Sequence, residues 1–266
     1  MATLTARVLP LPVRGTGWRL VERNFLVYKR AWPVFLTGFL EPVLYLLSIG
    51  VGVADLVEEF RLPGGQVIGY TEFVAPALLA ASAMNGSLFD STYGLFFRMK
   101  YQRLYDSILA TPLRPWDVAT GELTWALLRG AAYSAMFVLV MAVMGLTTSW
   151  WTVLALPAAM LIGFAFGGAG MALTTWMKSW QDFEYIQLAI MPMFLFSGTF
   201  YPLDAYPEVL QWLVQVTPLY QGVTLCRALT TGVIGVEVLI AVVYLAAMGT
   251  VGLLVASRRL ATLLLH

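Results

Sequence analysis

RMKYQRLYDSILATPLRPWDVATGE, residues 98–122, is a polar island between two long apolar segments. The chain around it has 266 residues, of which 59% are hydrophobic and 12% are charged. The first part of the island has helical period, with apolar side chains on one side and polar side chains on the other. We therefore predict a short amphipathic helix at the water-facing end of a membrane helix bundle, where a soluble partner can bind it.

The composition decides the class of protein. About a quarter of the residues of an ordinary soluble domain are charged, whereas this chain has half that fraction and a mean hydropathy of +0.77. Several apolar stretches reach the ~20 residues that cross a bilayer as a helix. We expect an all-α integral membrane protein. The net charge of +1 gives no indication of a nucleic-acid partner.

Six transmembrane helices are predicted from these apolar stretches. They lie at about residues 31–53, 73–97, 123–146, 151–177, 185–200 and 233–255. We predict that residues 1–30 form a cytoplasmic N-terminal segment and that residues 31–266 form a single six-helix transmembrane domain with its cytoplasmic loop at 98–122. Residues 201–232 are too apolar for a free loop, and their helix-like piece, 208–216, is too short to span. They predict a re-entrant or interfacial hairpin between helices five and six on the outer side.

The distribution of basic residues predicts the orientation of the chain. Of its 16 Lys and Arg residues, 13 fall before the first predicted span, in the island, at Lys178 or near the C-terminus. The positive-inside rule therefore predicts that both termini and the island are cytoplasmic. Residues 18–29 combine apolar Trp18, Val21, Phe25 and Leu26 with basic groups. This pattern predicts an interfacial helix on the cytoplasmic surface, and a plain membrane anchor is the alternative.

Charges inside the predicted spans each need a physical reason, because a charge costs roughly 2.5–3.5 kcal/mol at a helix centre. Asp90 lies about 12 Å inside the bundle from Arg98, and Arg129 lies about 10 Å inside from Glu122, at 1.5 Å per residue. Because the depths match, we predict an Asp90–Arg129 pair that either fixes helix packing or takes part in substrate passage. Glu41, beside Pro42, is either protonated and bonded to the backbone or faces a cavity at a subunit interface.

Two helix faces carry small or polar residues. The second predicted span has Ser82, Gly86, Asp90 and Tyr93 on one face, with Asn85 beside it, which favours contact with protein or a cavity over lipid. The fourth has glycines at 163, 167 and 170, which allow close approach of a helix from the same chain or, as the alternative, from a second copy.

Motifs for chemistry within the chain are absent from the sequence. It has no Walker A pattern, no HExxH and no GxSxG. Its one cysteine, Cys226, and its one histidine, His266, predict no disulfide, metal site or catalytic residue. The energy source must then be another chain or an ion gradient.

Three segments together carry a resemblance to a known family. They are LYDSILATPLRPWDVATGELTW (104–125), YTEFVAPALLAASAMNGSLFDSTYG (70–94) and FLFSGTFYPLDAYPEVLQWLVQVTPLYQG (194–222). In combination they resemble the type-2 ABC transporter permeases, in the branch of nodulation-type lipo-oligosaccharide exporters and related drug exporters.

The resemblance implies a half-transporter for amphipathic substrates in a bacterial or archaeal plasma membrane. Two permease copies, or a copy and a paralogue, would pair in the lipid with two separate ABC ATPase subunits. ATP and Mg would bind to those partners, with no cofactor in this chain. The island would supply the ATPase-coupling residues Tyr101, Arg103, Leu104, Tyr105, Asp106, Ile108, Thr111, Pro112 and Arg114. The substrate path would include Glu41, Asn85, Phe89, Asp90, Tyr93 and Phe200.

Other classes of protein fit the sequence less well. A secondary transporter driven by an ion gradient is the main alternative, although the two halves of the chain show no inverted repeat. No filter-like or charge-ring repeat indicates a channel, and no nucleophile–base constellation indicates an intramembrane enzyme. A structural membrane scaffold would leave the shaped island without a role.

Overall fold

The fold is helical, and a computed structural model describes residues 17–30, 33–53, 56–57, 60–61, 67–102, 104–109 and 113–264. Within these residues the α-helices follow one another in chain order. They are Gly17–Arg30 (α1), Pro33–Gly52 (α2), Tyr70–Phe89 (α3), Leu95–Lys100 (α4), Leu104–Leu109 (α5), Pro115–Val143 (α6), Ala155–Thr174 (α7), Phe183–Leu195 (α8), Glu208–Val216 (α9), Pro218–Thr231 (α10) and Val236–Leu264 (α11). Two short strands, Phe60–Arg61 (β1) and Val67–Ile68 (β2), pair in antiparallel orientation between α2 and α3.

Three of the described helices are long and apolar enough to cross a membrane. They are α6, α7 together with the 3₁₀ turn before it (Trp150–Thr174), and most of α11 (Val236–Leu263). A helix satisfies its own backbone hydrogen bonds, which is the condition for crossing lipid. α2 and α3 each have 20 residues, so the number of six spans stays a prediction.

The polar island is largely helical and is not a simple loop. α3 continues through a π-helical turn, Asp90–Gly94, into α4, and α6 begins at Pro115, eight residues before the predicted start at 123. Proline is favoured at the first position of a helix because its missing N–H needs no partner there. The Asp117 carboxylate accepts a 3.0 Å hydrogen bond from the backbone N–H of Arg114 and so caps the N-terminus of α6. Residues 115–122 of the island therefore belong to α6.

The region of the predicted fifth span and hairpin differs in part from expectation. α8 ends at Leu195 after 13 residues, about 20 Å of helix, and turns follow where the span was predicted to continue to 200. α9 has the predicted bounds of 208–216. α10 is a second helix that ends at Thr231 and is capped by Gly232, whose φ of 82° is the left-handed conformation that glycine favours. Arg227 donates a 2.8 Å hydrogen bond to the carbonyl of Gly198, which ties α10 to the turn after α8.

α1 packs on α6 through a different face from the one the sequence indicated. Leu20 and Val21 are buried, whereas Trp18, Phe25 and Leu26 are exposed. Val21 was expected on the membrane-facing side with those three, and it instead joins the face that contacts protein. Local pattern alone did not separate these two apolar faces.

Glycines set the distance between the helices around α7. A Cβ at Gly163 would lie 2.5 Å from Ser87 Oγ of α3, and a Cβ at Gly167 would lie 2.8 Å from Leu123 of α6. Both contacts are within the chain, which agrees with the interpretation that these glycines allow close approach of a helix from the same chain. Gly168 adds a contact with α11 that the sequence analysis missed, because a Cβ there would lie 2.6 Å from the backbone oxygen of Gly249.

We expect Gly168→Ala to destabilise the protein, because backbone cannot yield to the added methyl group as a flexible side chain can. Overpacking of this kind costs about 1–3 kcal/mol, which lowers a thermal unfolding midpoint by roughly 5 °C in a domain of this size. Gly52→Ala is the matched control, since nothing lies within 4 Å of a Cβ at that position. Thermal unfolding of the purified protein in detergent measures both, and equal midpoints would contradict the close approach of α7 and α11.

Candidate functional site: a cavity and two buried ion pairs

A cavity of about 650 Å³ lies between α2, α3, α6 and α8. Its polar lining consists of Ser82, Asn85, Arg129, Tyr133, Gln187 and neighbouring hydroxyl groups, and its apolar lining includes Phe89, Ile186, Ile190, Met191 and Phe194. Cavities of this size and mixed lining are typical of small-molecule sites. The cavity therefore offers both hydrogen-bonding groups and apolar surface to a ligand.

The residues predicted for a substrate path fall in or near this cavity. Asn85, Phe89 and Tyr93 line it directly. Phe200 is not among the lining residues, but its ring packs against Phe194 of the cavity wall at 5.5 Å between centroids. Glu41 lies in α2 next to the lining residue Pro42, and its side chain is outside the described residues.

The structure brings Asp90 and Arg129 together. Arg129 Nη1 lies 2.8 Å from Asp90 Oδ1, with the side chains 6% and 1% exposed. Arg129 Nε donates to the hydroxyl of Tyr133 at 2.9 Å. A buried charge is tolerated when a partner charge and hydrogen bonds replace water, and this arrangement supplies both. Because Arg129 also lines the cavity, the pair forms part of its wall.

α1 contributes a fourth member, Tyr28, to this cluster. The hydroxyl of Tyr28 donates to Asp90 Oδ1 at 3.1 Å and accepts from Arg129 Nη1 at 3.1 Å. Burial, followed by the charge of Asp90, raises the pKa of Tyr28, which keeps the hydroxyl protonated. The sequence analysis missed Tyr28, because it assigned α1 to the membrane surface.

A second buried ion pair lies nearer to α5. Arg98 Nη2 of α4 lies 2.9 Å from Glu122 Oε2 of α6. The same carboxylate oxygen accepts from Asn24 Nδ2 of α1 at 3.1 Å, and Oε1 accepts from the hydroxyl of Tyr105 at 2.9 Å. The sequence analysis placed Arg98 and Glu122 in water, where neither needs a partner. The burial of Glu122 could have been predicted from Pro115, because a helix that begins at this proline carries Glu122 into the bundle.

The predicted coupling residues are divided between surface and interior. Tyr101 and Arg114 are exposed, Leu104 and Ile108 pack against a buried cluster, and Tyr105 is almost fully buried at 1% exposed. Burial, then the charge of Glu122, raises the pKa of Tyr105 well above its usual value, so that its hydroxyl remains a donor. The side chain of Asp106 and all of Arg103, Thr111 and Pro112 lie outside the described residues.

Comparison with known proteins decides the family. The family model described as "ABC-2 type transporter" matches residues 17–230, most of the chain. The chain belongs to the ABC-2 type transporter family. It is also similar to "Nodulation protein J" of Rhizobium leguminosarum bv. trifolii, with 35% identity over 229 residues and 85% of each chain covered. The protein of the same name from Rhizobium meliloti (strain 1021) is 32% identical over 229 residues, again with 85% of each chain covered.

Membership of the ABC-2 family establishes the general role of the chain. The chain is a membrane-embedded transport subunit, and ABC transporters take their energy from ATPase subunits or domains. The matched region contains both buried ion pairs, the cavity and the helices that build them. The features described above therefore belong to the part of the chain that defines the family.

Proposed function

We propose that this chain is the permease subunit of an ATP-driven exporter for an amphipathic substrate, either a lipid-linked saccharide or a hydrophobic drug. The substrate would leave the cytoplasm or the inner leaflet of a bacterial or archaeal plasma membrane. The observation that carries this proposal is the cavity with a mixed polar and apolar lining, joined to α5 by buried charged residues.

The cavity supports an amphipathic substrate in particular. Arg129, Tyr133 and Asn85 offer hydrogen bonds to hydroxyl or acidic groups, as a saccharide carries. Ile186, Ile190 and other apolar residues of α8 and α3 supply much of the remaining lining. The resemblance to lipo-oligosaccharide exporters agrees with this mixed lining. The relatives named as nodulation proteins agree with the nodulation-type branch of that resemblance.

The proposed arrangement in the membrane has six spans and cytoplasmic termini. The six spans would be α2, then the continuous segment of α3, its π-helical turn and α4, and then α6, α7, α8 and α11. α9 and α10 would form the outer hairpin. The excess of Lys and Arg at the termini and in the island supports this orientation. Since α8 is shorter than the ~30 Å apolar layer, it would be completed by the turn after it. Two copies, or a copy and a paralogue, would face each other across the cavity.

Two ATPase subunits would dock on the cytoplasmic surface that includes α5. Ser107 of α5 and Tyr101 just before it are exposed, whereas Tyr105 points into the protein. ATP-driven closure of the ATPase pair would push α5, and the tilt of α3 and α6 against the second copy would open the cavity outward. The ATPase subunits would hold ATP and Mg.

Co-purification tests the assembly directly. The tagged chain, co-expressed with ABC ATPase subunits of the same organism and extracted in mild detergent, is expected to retain an ATPase subunit and to hydrolyse ATP. A glutamine in place of the catalytic glutamate of the ATPase should abolish hydrolysis without dissociating the complex. Purification of the permease without any ATPase, from cells that express both, would contradict the proposal.

A further inference from the structure

Glu122 lies where four helices meet. Its carboxylate belongs to α6 and binds side chains of α1, α4 and α5, all within 3.1 Å. We propose that Glu122 is a positioning residue, the joint through which movement of α5 reaches the cavity. This inference rests on the proposed function, because it needs an ATPase to move α5.

The attachment of α5 to the rest of the protein makes this joint mechanically important. α5 has six residues, and so short a helix is not stable by itself in water. Its orientation is therefore set by side-chain contacts, among which the Tyr105 hydroxyl gives a buried, directional bond to Glu122 Oε1. A displacement of α5 must either carry the Glu122 carboxylate with it or break that bond.

From Glu122 the contacts continue to the cavity wall. Arg98 Nη2 binds Glu122 Oε2 at 2.9 Å and makes a longer, 3.4 Å contact with the backbone oxygen of Asp90. The side chain of Asp90 in turn binds Arg129, which lines the cavity. Five residues thus connect α5 to the cavity through charged hydrogen bonds, which are about twice as strong as neutral ones.

The contacts that lead from Glu122 to the cavity pass through the π-helical turn, and this turn is suited to small movements. The backbone oxygen of Asp90 accepts from the N–H of Leu95, a five-residue spacing, and also from Arg98. π turns of this kind occur often at functional sites. Gly94 lies against both charged groups, since a Cβ there would be 3.2 Å from Arg98 Nη2 and 3.3 Å from Asp90 Oδ1. A shift of Arg98 therefore acts on the segment of α3 that borders the cavity.

The same joint also holds the N-terminal helix. Asn24 Nδ2 donates to Glu122 Oε2, and Asn24 itself is 2% exposed. Further along α1, Tyr28 binds the Asp90–Arg129 pair. α1 therefore contacts both ion pairs and holds them in fixed relative positions, so that a displacement of one pair is passed to the other.

The test uses the assembled complex with a cysteine introduced into the cavity at Asn85. Cys226, the single native cysteine, is buried, so a membrane-permeant maleimide reports on the new residue. Its labelling rate is measured without nucleotide and after trapping with ATP and vanadate. In the otherwise unchanged chain we expect the two rates to differ about fivefold or more, the lower end of usual coupling factors.

Tyr105→Phe removes the hydroxyl and keeps the buried ring. We expect it to reduce the difference in labelling rate to about twofold or less while ATP hydrolysis stays near the level of the parent complex. Glu122→Gln, which keeps the shape of the side chain, is the second variant and should have the same effect. Tyr185→Phe is the matched control, since Tyr185 is exposed on α8, and it should leave the difference intact.

The outcomes separate this inference from the proposed function. A full nucleotide response in both Tyr105→Phe and Glu122→Gln would overturn the role of the joint and leave the exporter assignment standing. Loss of ATP hydrolysis together with the response, at unchanged elution of the complex, would also overturn it, since the contact would then only support assembly. A parent complex without ATP hydrolysis would instead overturn the proposed function itself.

Discussion

Asp90→Arg is expected to prevent accumulation of folded protein in the membrane. The substitution places a second cation against Arg129, which is 2.8 Å from the present carboxylate in a site where both side chains are almost fully buried. Breaking a buried ion pair by removing one partner costs on the order of 3–5 kcal/mol, and reversing its charge costs more. The yield of monodisperse protein after detergent extraction measures the effect.

Two double variants show that the effect comes from the pair. Asp90→Arg with Arg129→Asp should recover a substantial part of the yield, because opposite charges again face each other. Asp90→Asn with Arg129→Gln should be more stable than either single neutral change, because no unpaired charge remains buried. Glu237→Arg is the control, as Glu237 is exposed in the first turn of α11. Double variants that fare no better than the single ones would contradict the pairing.

Asn85→Trp is expected to stop transport while ATP hydrolysis by the assembled complex continues. Asn85 is exposed to the cavity between α3 and α8, so an indole there occupies the space that the substrate would need. We expect at least a tenfold loss of transport, about 1.4 kcal/mol or more, and little change in the amount of complex. Substrate movement and phosphate release, measured on the same vesicles, give the two quantities.

Leu188→Trp is the matched control for the cavity. Leu188 is exposed on α8 next to the lining residue Gln187, and it is not itself among the lining residues. An indole at this position should leave transport within about twofold of the parent protein, the range of a neutral surface change. Equal loss of transport in both variants would show that the cavity is not the path.

The sequence predicted the Asp90–Arg129 contact because of a strong physical constraint. Two opposite charges at matched depth in apolar helices have few partners to choose from, so depth alone brought them together. No such constraint acted on Arg98 and Glu122 as long as both were placed in water. The start of α6 at Pro115, with Asp117 as its cap, is the local feature that moves Glu122 into the bundle.

The contributions of α1 and α11 could not be predicted from local pattern. Trp18 and Val21 are both apolar, yet one is exposed and the other is buried against α6; only the docked structure distinguishes them. Likewise Gly249 and Gly252 lie in an apolar helix where a glycine can serve many purposes. Their contact with Gly168 depends on where α11 crosses α7, which no spacing within either helix determines.

ATP-dependent transport in reconstituted vesicles tests the central claim most directly. The permease and its ATPase are placed in liposomes without an ion gradient, with a fluorescent lipid-linked saccharide in the membrane, and ATP is added on the ATPase side. We expect movement of the saccharide to the opposite side that requires ATP and stops with vanadate. Movement that needs a proton or sodium gradient and is indifferent to ATP would contradict it.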